Sequence, residues 1–395
     1  MSKRAAFPQL PEHHCIHSHP SAFLRNRPRR DASILRDLDK RDTSILKGLA
    51  ITAIVFHNFF HLVGLVHQNE FSFDPARFWG FLRALNTPTT AIEGFFIFFG
   101  HYGVELFVFL AAYGLAKSHW DDSVSWARFL WGRVKKLYPA FGLVVLPWFI
   151  SMAWLAGPDC AFRAYGAKLI WMFAGVSNLI PGCGVPPIGP WWFIPFIVQF
   201  YALWPLLRQF ANRFGQRGLL VLSVLCSILV FVTRQPLSHW SISLIATPIG
   251  HMPEFCLGIA AARFRVQIHS RIILVAAAAL LLGNVYGILW PFTYISALVL
   301  SLAVYVWMRR QLRESKVWAQ IGEFSALIFL LNGIVKYRFI FYAHSPQSQL
   351  LFGCISAITS IAVAAIIHYM LMPHAIAKRF GLSADAPGEM LLQNS

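Results

Sequence analysis

The sequence predicts an all-α fold, a polytopic bundle of about ten transmembrane helices with its N- and C-termini in the cytoplasm. Of the 395 residues, 57% are hydrophobic and only 13% are charged, whereas soluble globular chains carry about 25% charged residues. So few charged side chains cannot cover a water-exposed surface. The 14 Trp and 35 Phe residues suit a long boundary with lipid. This composition excludes a soluble enzyme, a disordered protein and a disulfide-rich secreted scaffold.

Ten apolar segments are candidates for membrane spans, because a membrane helix needs about 20 residues at a rise of about 1.5 Å each. They are 46–66, 95–116, 138–157, 191–207, 219–233, 242–262, 272–289, 291–308, 321–335 and 350–371. An eleventh apolar segment, 167–181, is short and ends at Pro181. We expect it to be re-entrant or interfacial.

The distribution of the net charge of +17 supports ten spans. With ten spans and cytoplasmic termini, 27 of the 34 Lys and Arg residues lie on the cytoplasmic side and seven on the other. This asymmetry follows the positive-inside rule, and a span at 167–181 would remove it. The basic residues come in short clusters between apolar stretches. That pattern is typical of contact with anionic lipid, so we expect membrane lipid and no nucleic acid as a partner.

Three parts are predicted along the chain. Residues 1–44 form a basic, proline-containing cytoplasmic leader that is expected to be largely disordered. The leader lacks the apolar core of a signal peptide. Residues 45–372 form the ten-span membrane domain, and residues 373–395 form a short cytoplasmic tail.

The cysteines leave one question open. Cys160 and Cys183 lie in the predicted external loop 158–190, where the oxidising side of the membrane favours a disulfide between them. The alternative is that both are small, buried side chains. None of the six cysteines shows a CxxC spacing, which disfavours a zinc ribbon or an iron–sulfur site.

Two histidines stand out in the first span. His57 lies ten residues after Lys47, about 15 Å along a helix and so near mid-membrane. His61 follows one turn later on the same face. Ionisable residues inside a membrane are costly and usually mark a function. We predict that His57 carries the chemistry and that His61 supports it. The alternatives are a neutral histidine bonded to a neighbouring helix, or a metal or haem site. The absence of a second stacked histidine pair disfavours haem, and no metal is predicted.

The second span carries a carboxylate. Glu105 lies four residues after His101 inside an apolar run, and a carboxylate there needs a partner. A histidine or lysine of the first span would serve. A carboxylate beside an imidazole orients a general base and raises its pKa. A purely structural ion pair fits the same pattern equally well.

A basic cluster follows the second span at the predicted cytoplasmic rim. It consists of Arg128, Arg133, Lys135 and Lys136. Guanidinium and ammonium groups in such a cluster bind phosphates, for example those of coenzyme A. The alternative is an ordinary positive-inside loop with no ligand.

Five segments in this order resemble the acyltransferase-3 family of integral-membrane O-acyltransferases. The segments are GVELFVFLAAY at 103–113, RVKKLYPAF at 133–141, PWWFIPFIVQFYALWP at 190–205, MPEFCLG at 252–258 and IGEFSALIFLLN at 321–332. The first resembles the family pattern GV[DE]LFFVLSG[FY]. Each match is short, but their joint order and spacing are specific, and the resemblance covers about residues 45–372.

Several positions depart from the family pattern. The family has a basic residue separated by ten residues from an essential first-span histidine, whereas nine residues separate Lys47 from His57. One residue turns a helix by about 100°, so Lys47 need not face His57. The family's serine, its two fourth-span glutamates and its ninth-span histidine are replaced by Ala111, Ile197, Val198 and Asn332. This chain therefore resembles a divergent branch.

The resemblance implies transfer of an acyl group, usually acetyl from acetyl-CoA, to a hydroxyl of a cell-surface polysaccharide or lipid-linked sugar. It implies a multi-pass protein of a bacterial inner membrane, with acyl-CoA as donor substrate and no permanently bound cofactor. The implied catalytic residues are His57, His61 and Glu105. The implied acyl-CoA- or substrate-binding residues are Lys47, Arg128, Arg133, Lys135, Lys136, Trp192, Gln199 and Tyr201.

Two further questions stay open at this point. His57 is expected to act as general base on the acceptor hydroxyl or to take the acyl group itself. The alternative function is a transporter or lipid-linked-sugar flippase. Such a protein should show internal repeats or broken helices, and we find neither pattern in the sequence.

Overall fold

The computed structural model describes residues 35–64, 71–122, 125–264 and 266–371, and none of these residues lies in a β-strand. The all-α prediction is confirmed. Most of the predicted leader, 1–44, and all of the predicted tail, 373–395, lie outside the described residues.

Thirteen α-helices follow one another within the described part of the chain. They are α1 Lys40–Val63, α2 Pro75–Ala84, α3 Pro88–Phe99, α4 Gly103–Ser118, α5 Trp126–Ala156, α6 Pro158–Ala161, α7 Ala167–Phe173, α8 Phe193–Ser238, α9 Met252–Arg263, α10 Ser270–Gly283, α11 Phe292–Glu314, α12 Lys316–Val335 and α13 Pro346–Leu371. A 3-10 turn, Gly100–Tyr102, joins α3 to α4, and a π-helical turn, Phe162–Gly166, joins α6 to α7.

Seven helical segments of the described chain are long and apolar enough to cross a membrane. They are Lys40–Val63, Pro88–Ser118, Trp126–Ala156, Gly189–Ser238, Phe292–Glu314, Lys316–Tyr342 and Pro346–Met370. The segment predicted to be re-entrant contains α7, which has only seven residues.

The difference between seven segments and ten predicted spans has two sources. Helix α8 runs for 46 residues through two predicted spans, 191–207 and 219–233, with a break at Gly215. The break has φ 62° and ψ −157°, a conformation that favours glycine. Helices α9 and α10 have 12 and 14 residues, fewer than the about 20 that a span needs. The number of spans and the side of the termini stay predictions.

Helix α1 lies at the centre of the bundle and packs closely against α12. A Cβ atom at Gly48 would lie 2.1 Å from the Trp318 carbonyl oxygen, and one at Gly322 would lie 1.8 Å from the Ser44 carbonyl oxygen. The two backbones therefore touch where neither helix has a side chain, as small residues allow in membrane bundles. This crossing fixes the position of the first span relative to α12.

The first turn of α1 is tied to α11 by a buried carboxylate. Asp39 caps α1 and forms a capping box with Asp42. The Asp42 side chain is fully buried and accepts hydrogen bonds from Tyr305, Arg309 and Arg313. A buried charge needs such partners, so this network fixes the start of α1 against α11.

The predicted disulfide is wrong. Cys160 and Cys183 are both free thiols. The segment between them contains the π-helical turn Phe162–Gly166 and helix α7, Ala167–Phe173. The loop between the two cysteines is thus mostly helix, which the sequence argument did not foresee.

Candidate active site

A cavity of about 460 Å³ opens where α1, the 3-10 turn and the end of α12 meet. We call it the outer cavity, because its rim includes residues of the predicted external loops, among them 184–186 and Tyr337. Its ionisable lining residues are His57, His61, His101 and Lys336. The cavity thus contains both histidines predicted from the first span.

A second cavity, of about 290 Å³, lies on the side predicted to be cytoplasmic, and we call it the inner cavity. Its polar lining side chains are Lys47, Lys136, Tyr201 and Ser325, and the rest of its lining is apolar. Three of the predicted donor-binding residues, Lys47, Lys136 and Tyr201, are therefore brought together here from α1, α5 and α8.

The two cavities share part of their walls. Val104 of α4 and Phe329 of α12 line both of them. The side chains of these two residues, both nearly buried, therefore stand between a cavity with histidines and a cavity with lysines. A molecule held in one cavity would lie next to a molecule held in the other.

The backbone selects the tautomer of His57. Its imidazole is only 3% exposed, and its Nδ1 atom lies 2.9 Å from the carbonyl oxygen of Ile97. A carbonyl oxygen only accepts hydrogen bonds, so Nδ1 must be the donor. In the neutral ring the lone pair then lies on Nε2. This tautomer is the one that a general base acting through Nε2 requires.

A third histidine joins the predicted pair. The His57 ring lies 5.6 Å from the His61 ring and 5.4 Å from the His101 ring, between centroids. The 3-10 turn brings His101 close because Gly100 passes tightly against α1, where a Cβ atom would lie 2.6 Å from the Ala53 carbonyl oxygen. The sequence showed His101 four residues before Glu105. The direction in which the His101 side chain points depends on the 3-10 turn, which the sequence did not predict.

Glu105 has a different partner from the one predicted. Glu105 is 1% exposed, and its carboxylate lies 2.9 Å from Nδ1 of His251, the residue that precedes α9, so the expected partner in the first span is wrong. Glu105 is in the wall of neither cavity. Its link to the outer cavity runs through His251, whose ring stacks on Trp192 at 6.0 Å. Glu105 thus contacts His251 and does not line either cavity.

The basic rim cluster is only partly assembled at the inner cavity. Lys136 lines the cavity. The Arg133 guanidinium lies over the ring of Tyr201, 5.8 Å from its centroid, and so beside the cavity wall. Lys135 lies instead over the exposed ring of Trp131, at 5.1 Å, and Arg128 is exposed. The structure therefore places Lys136 in the cavity wall, Arg133 next to it, and Lys135 and Arg128 at the surface.

The two remaining predicted residues belong to the outer cavity or support it. Trp192 is in the wall of that cavity. Gln199 is not, but its Nε2 atom donates to the Gly175 carbonyl oxygen at 2.9 Å, and its Oε1 atom accepts a hydrogen bond from Asn178. Asn178 lines the outer cavity. Gln199 therefore holds in place the segment that follows α7.

Asn58 and Lys336 are among the polar residues of the outer cavity that sequence reasoning missed. The Lys336 side chain is 5% exposed and donates to the Asn58 carbonyl oxygen at 3.1 Å. The Asn58 side chain donates to Oδ1 of Asn332 at 2.9 Å. The sequence did show that Asn332 replaces a histidine of the family pattern. A polar residue at that position could have indicated a hydrogen bond between α12 and α1.

These features define a multi-pass membrane protein with a buried histidine in the wall of one of two adjoining cavities. A family model described as an acyltransferase domain matches residues 42–369. The chain belongs to this acyltransferase-3 family, and it is an integral-membrane acyltransferase. No curated protein and no solved structure matches the chain.

Proposed function

We propose that this protein transfers an acyl group, in the first instance acetyl, from acyl-CoA to a hydroxyl of a cell-surface polysaccharide or a lipid-linked sugar. One observation supports this above all. A cavity with two lysines and a cavity with His57 meet at Val104 and Phe329. A donor and an acceptor that enter from opposite sides would meet beside the imidazole.

The inner cavity suits the donor. The ammonium groups of Lys47 and Lys136 at its wall would bind the phosphates of coenzyme A. The apolar lining between them and Phe329 would take the pantetheine arm, so that the thioester points towards the outer cavity. The donor is a substrate in this scheme, and no permanently bound cofactor is required.

The outer cavity suits a sugar. Aromatic residues in its wall, Phe71, Trp192 and Tyr337, offer flat apolar surfaces, while Asn178 and Ser243 supply hydrogen-bonding groups. Ligand sites commonly combine an apolar lining with a few polar groups that fix orientation. Since the loops at the rim are predicted to be external, the acceptor would enter from outside a bacterial inner membrane.

The proposed reaction needs one base. Nε2 of His57 takes the proton of the acceptor hydroxyl, and the oxygen forms a bond to the thioester carbonyl carbon. The carbon–sulfur bond then breaks, and the thiolate of coenzyme A takes the proton from the imidazolium. In the alternative route Nε2 attacks the thioester carbonyl carbon, and the carbon–sulfur bond breaks to release the thiolate of coenzyme A. The acceptor oxygen then takes the acyl group from the imidazole, and the hydroxyl proton passes to the thiolate.

Radiolabelled acetyl-CoA tests the proposal. Membranes from cells with and without the protein are incubated with it, and label is measured in the extracted polysaccharide and lipid-linked sugar. We expect label in one of these fractions only when the protein is present. Movement of lipid-linked sugar across the membrane without acetyl-CoA, and no labelled product, would contradict the proposal and favour the flippase alternative.

A further inference from the structure

Three ionisable side chains form a cluster behind the outer cavity. Nδ1 of His251 lies 2.9 Å from Oε2 of Glu105 and 3.8 Å from Oε2 of Glu254. The side chains of the three residues are between 0% and 3% exposed. They come from α4, from α9 and from the residue that precedes α9. We call these residues the Glu–His–Glu cluster.

Glu254 is the unsatisfied member of the cluster. Both of its carboxylate oxygens are buried and make no hydrogen bond to any residue that the structure describes. Among the residues that the structure describes, no Lys or Arg forms an ion pair with Glu105 or Glu254. A fully buried, ionised carboxylate is costly unless it is hydrogen-bonded, paired with a charge or bound to a metal. The long contact to His251 alone does not meet that need.

The spacing of the cluster matches a metal site. One nitrogen and two carboxylate oxygens lie within 4.8 Å of one another. A metal ion about 2.0–2.2 Å from each ligand holds neighbouring ligand atoms about 3.3–3.6 Å apart. The two measured separations, 2.9 and 3.8 Å, lie on either side of this range, so small side-chain shifts would complete the site.

We propose that the Glu–His–Glu cluster binds one divalent first-row transition metal ion, such as Zn²⁺ or Mn²⁺. One imidazole and two carboxylates are ligands that such ions share. Two negative carboxylates around a doubly charged ion, with a neutral imidazole, leave no net charge in the buried site. This inference departs from the sequence-based expectation of no metal, because the sequence does not show that α4 and α9 meet.

The proposed ion would act on the shape of the outer cavity. It links α4, which carries Val104, to the start of α9, and His251 stacks on Trp192 in the cavity wall. The ion is too deep to touch a substrate in that cavity, since Glu105 and Glu254 are not in its lining. We therefore assign it a structural role, and the inference does not depend on the proposed function.

Metal analysis of the purified protein tests the inference. The chain is purified in detergent with a tag that contains no histidine, stripped with a chelator, loaded with Zn²⁺ or Mn²⁺, and desalted. We expect mass spectrometry of the metal to find about one ion per chain in the wild type and less than about a tenth of an ion in Glu254→Gln.

Two control variants show whether the loss of metal is specific to the cluster. Glu93→Gln removes another buried glutamate, which is 2% exposed and lies on α3, and it should keep one ion. His61→Ala removes a histidine of the outer cavity and should also keep one ion. Loss of metal from either control, with retention by Glu254→Gln, would overturn the assignment.

A measurement on the wild type covers the case in which Glu254→Gln does not fold. Electron paramagnetic resonance of the Mn²⁺-loaded protein should show coupling to the nitrogen of a single imidazole. A wild-type protein that retains no metal after desalting, or a bound Mn²⁺ ion with no nitrogen coupling, would overturn the inference. Neither result depends on acyl transfer, so failure here is distinguishable from failure of the proposed function.

Discussion

His57 is held by a backbone atom rather than by a carboxylate. In many enzymes an acidic side chain orients the catalytic imidazole, and the sequence suggested Glu105 for that task. In the structure the carbonyl oxygen of Ile97 orients the ring instead, because it lies 2.9 Å from Nδ1 of His57. A carbonyl fixes the same tautomer without adding a negative charge inside the membrane, where such a charge is costly.

The first prediction follows from this tautomer. His57→Ala should lower acyl transfer by roughly 10²-fold or more, because it removes the base that takes the acceptor proton. His61→Ala should leave measurable turnover, since His61 lies one turn away from the junction of the cavities. Labelled acetyl transfer by membranes that contain equal amounts of folded protein gives the comparison.

Either of two results would contradict this assignment. Near-normal transfer by His57→Ala would remove His57 from the chemistry. Complete loss in His61→Ala, with the protein still monodisperse in detergent, would move the base one turn outward. His344→Ala changes a histidine outside both cavity linings and serves as the matched control with unchanged transfer.

At the residue scale, sequence reasoning found the groups that lie on one helix and missed those that depend on contacts between helices. His57 and His61 are one turn apart on α1, so helical spacing alone predicted their common face. His251 lies 146 residues after Glu105 in the chain, and no local pattern indicates that they pair. The partner expected for Glu105 was wrong for that reason.

Between elements, the crossing of α1 and α12 leaves no room for side chains. The clearest case is Gly322, where a Cβ atom would lie 1.8 Å from a backbone oxygen of α1. Backbone atoms cannot move aside as a flexible side chain can, so any larger residue must push the two helices apart. Because α1 carries both His57 and Lys47, this crossing also sets the spacing of the two cavities.

The second prediction is therefore a loss of stability in Gly322→Ala. We expect a cost on the order of 1–3 kcal/mol, the usual range for overpacking a tight core, and a lower unfolding temperature in detergent. Gly142→Ala on α5 is the matched control, because a Cβ atom there meets nothing within 4 Å. Equal unfolding temperatures for the two variants would contradict the close crossing.

At the element scale, the sequence predicted where helices form better than how long they are. Apolar length gave α1, α11, α12 and α13 to within several residues. Apolar length ended the predicted span at residue 207, where a basic stretch begins, but α8 continues through that stretch as far as the break at Gly215. The helix continues because Arg and Gln are good helix formers. The predicted spans 242–262 and 272–289 are also longer than α9 and α10. Each predicted span includes an apolar segment outside the helix, and composition alone does not distinguish such a segment from helix.

For the whole molecule, the proposed function requires a donor and an acceptor from opposite sides of the membrane to meet, and two adjoining cavities would allow this. The lysines lie at the cavity on the side that the charge distribution predicts to be cytoplasmic. The histidines lie in the cavity bordered by the predicted external loops. Composition alone predicted a membrane bundle, but not that Val104 and Phe329 form a wall common to both cavities, because that wall joins two helices far apart in the chain.

The third prediction concerns donor binding. Lys136→Ala should raise KM for acetyl-CoA about tenfold with a smaller change in kcat, because a hydrogen bond to a charged group contributes about 1.5–3 kcal/mol. Lys135→Ala is the matched control, since the neighbouring ammonium lies over Trp131 outside the cavity lining. Initial rates at varied acetyl-CoA in reconstituted vesicles provide both constants. An equal rise in KM for both variants would show that the basic rim attracts the donor only through its overall charge.

The fourth prediction tests whether the acyl group passes between Val104 and Phe329. Within the described part of the chain, Val104 and Phe329 are the two residues that line both cavities. Phe329→Trp should narrow the junction and lower acyl transfer at least tenfold by misplacing the thioester relative to His57. Binding of acetyl-CoA, measured by isothermal titration calorimetry in detergent, should persist, since Lys47 and Lys136 are unchanged. Leu331→Trp introduces the same side chain on the same helix but in a separate groove next to Val144 and Ile367, and it should transfer normally. Normal transfer by Phe329→Trp would mean that the acyl group takes another route, and the two cavities would then be neighbours without a shared reaction.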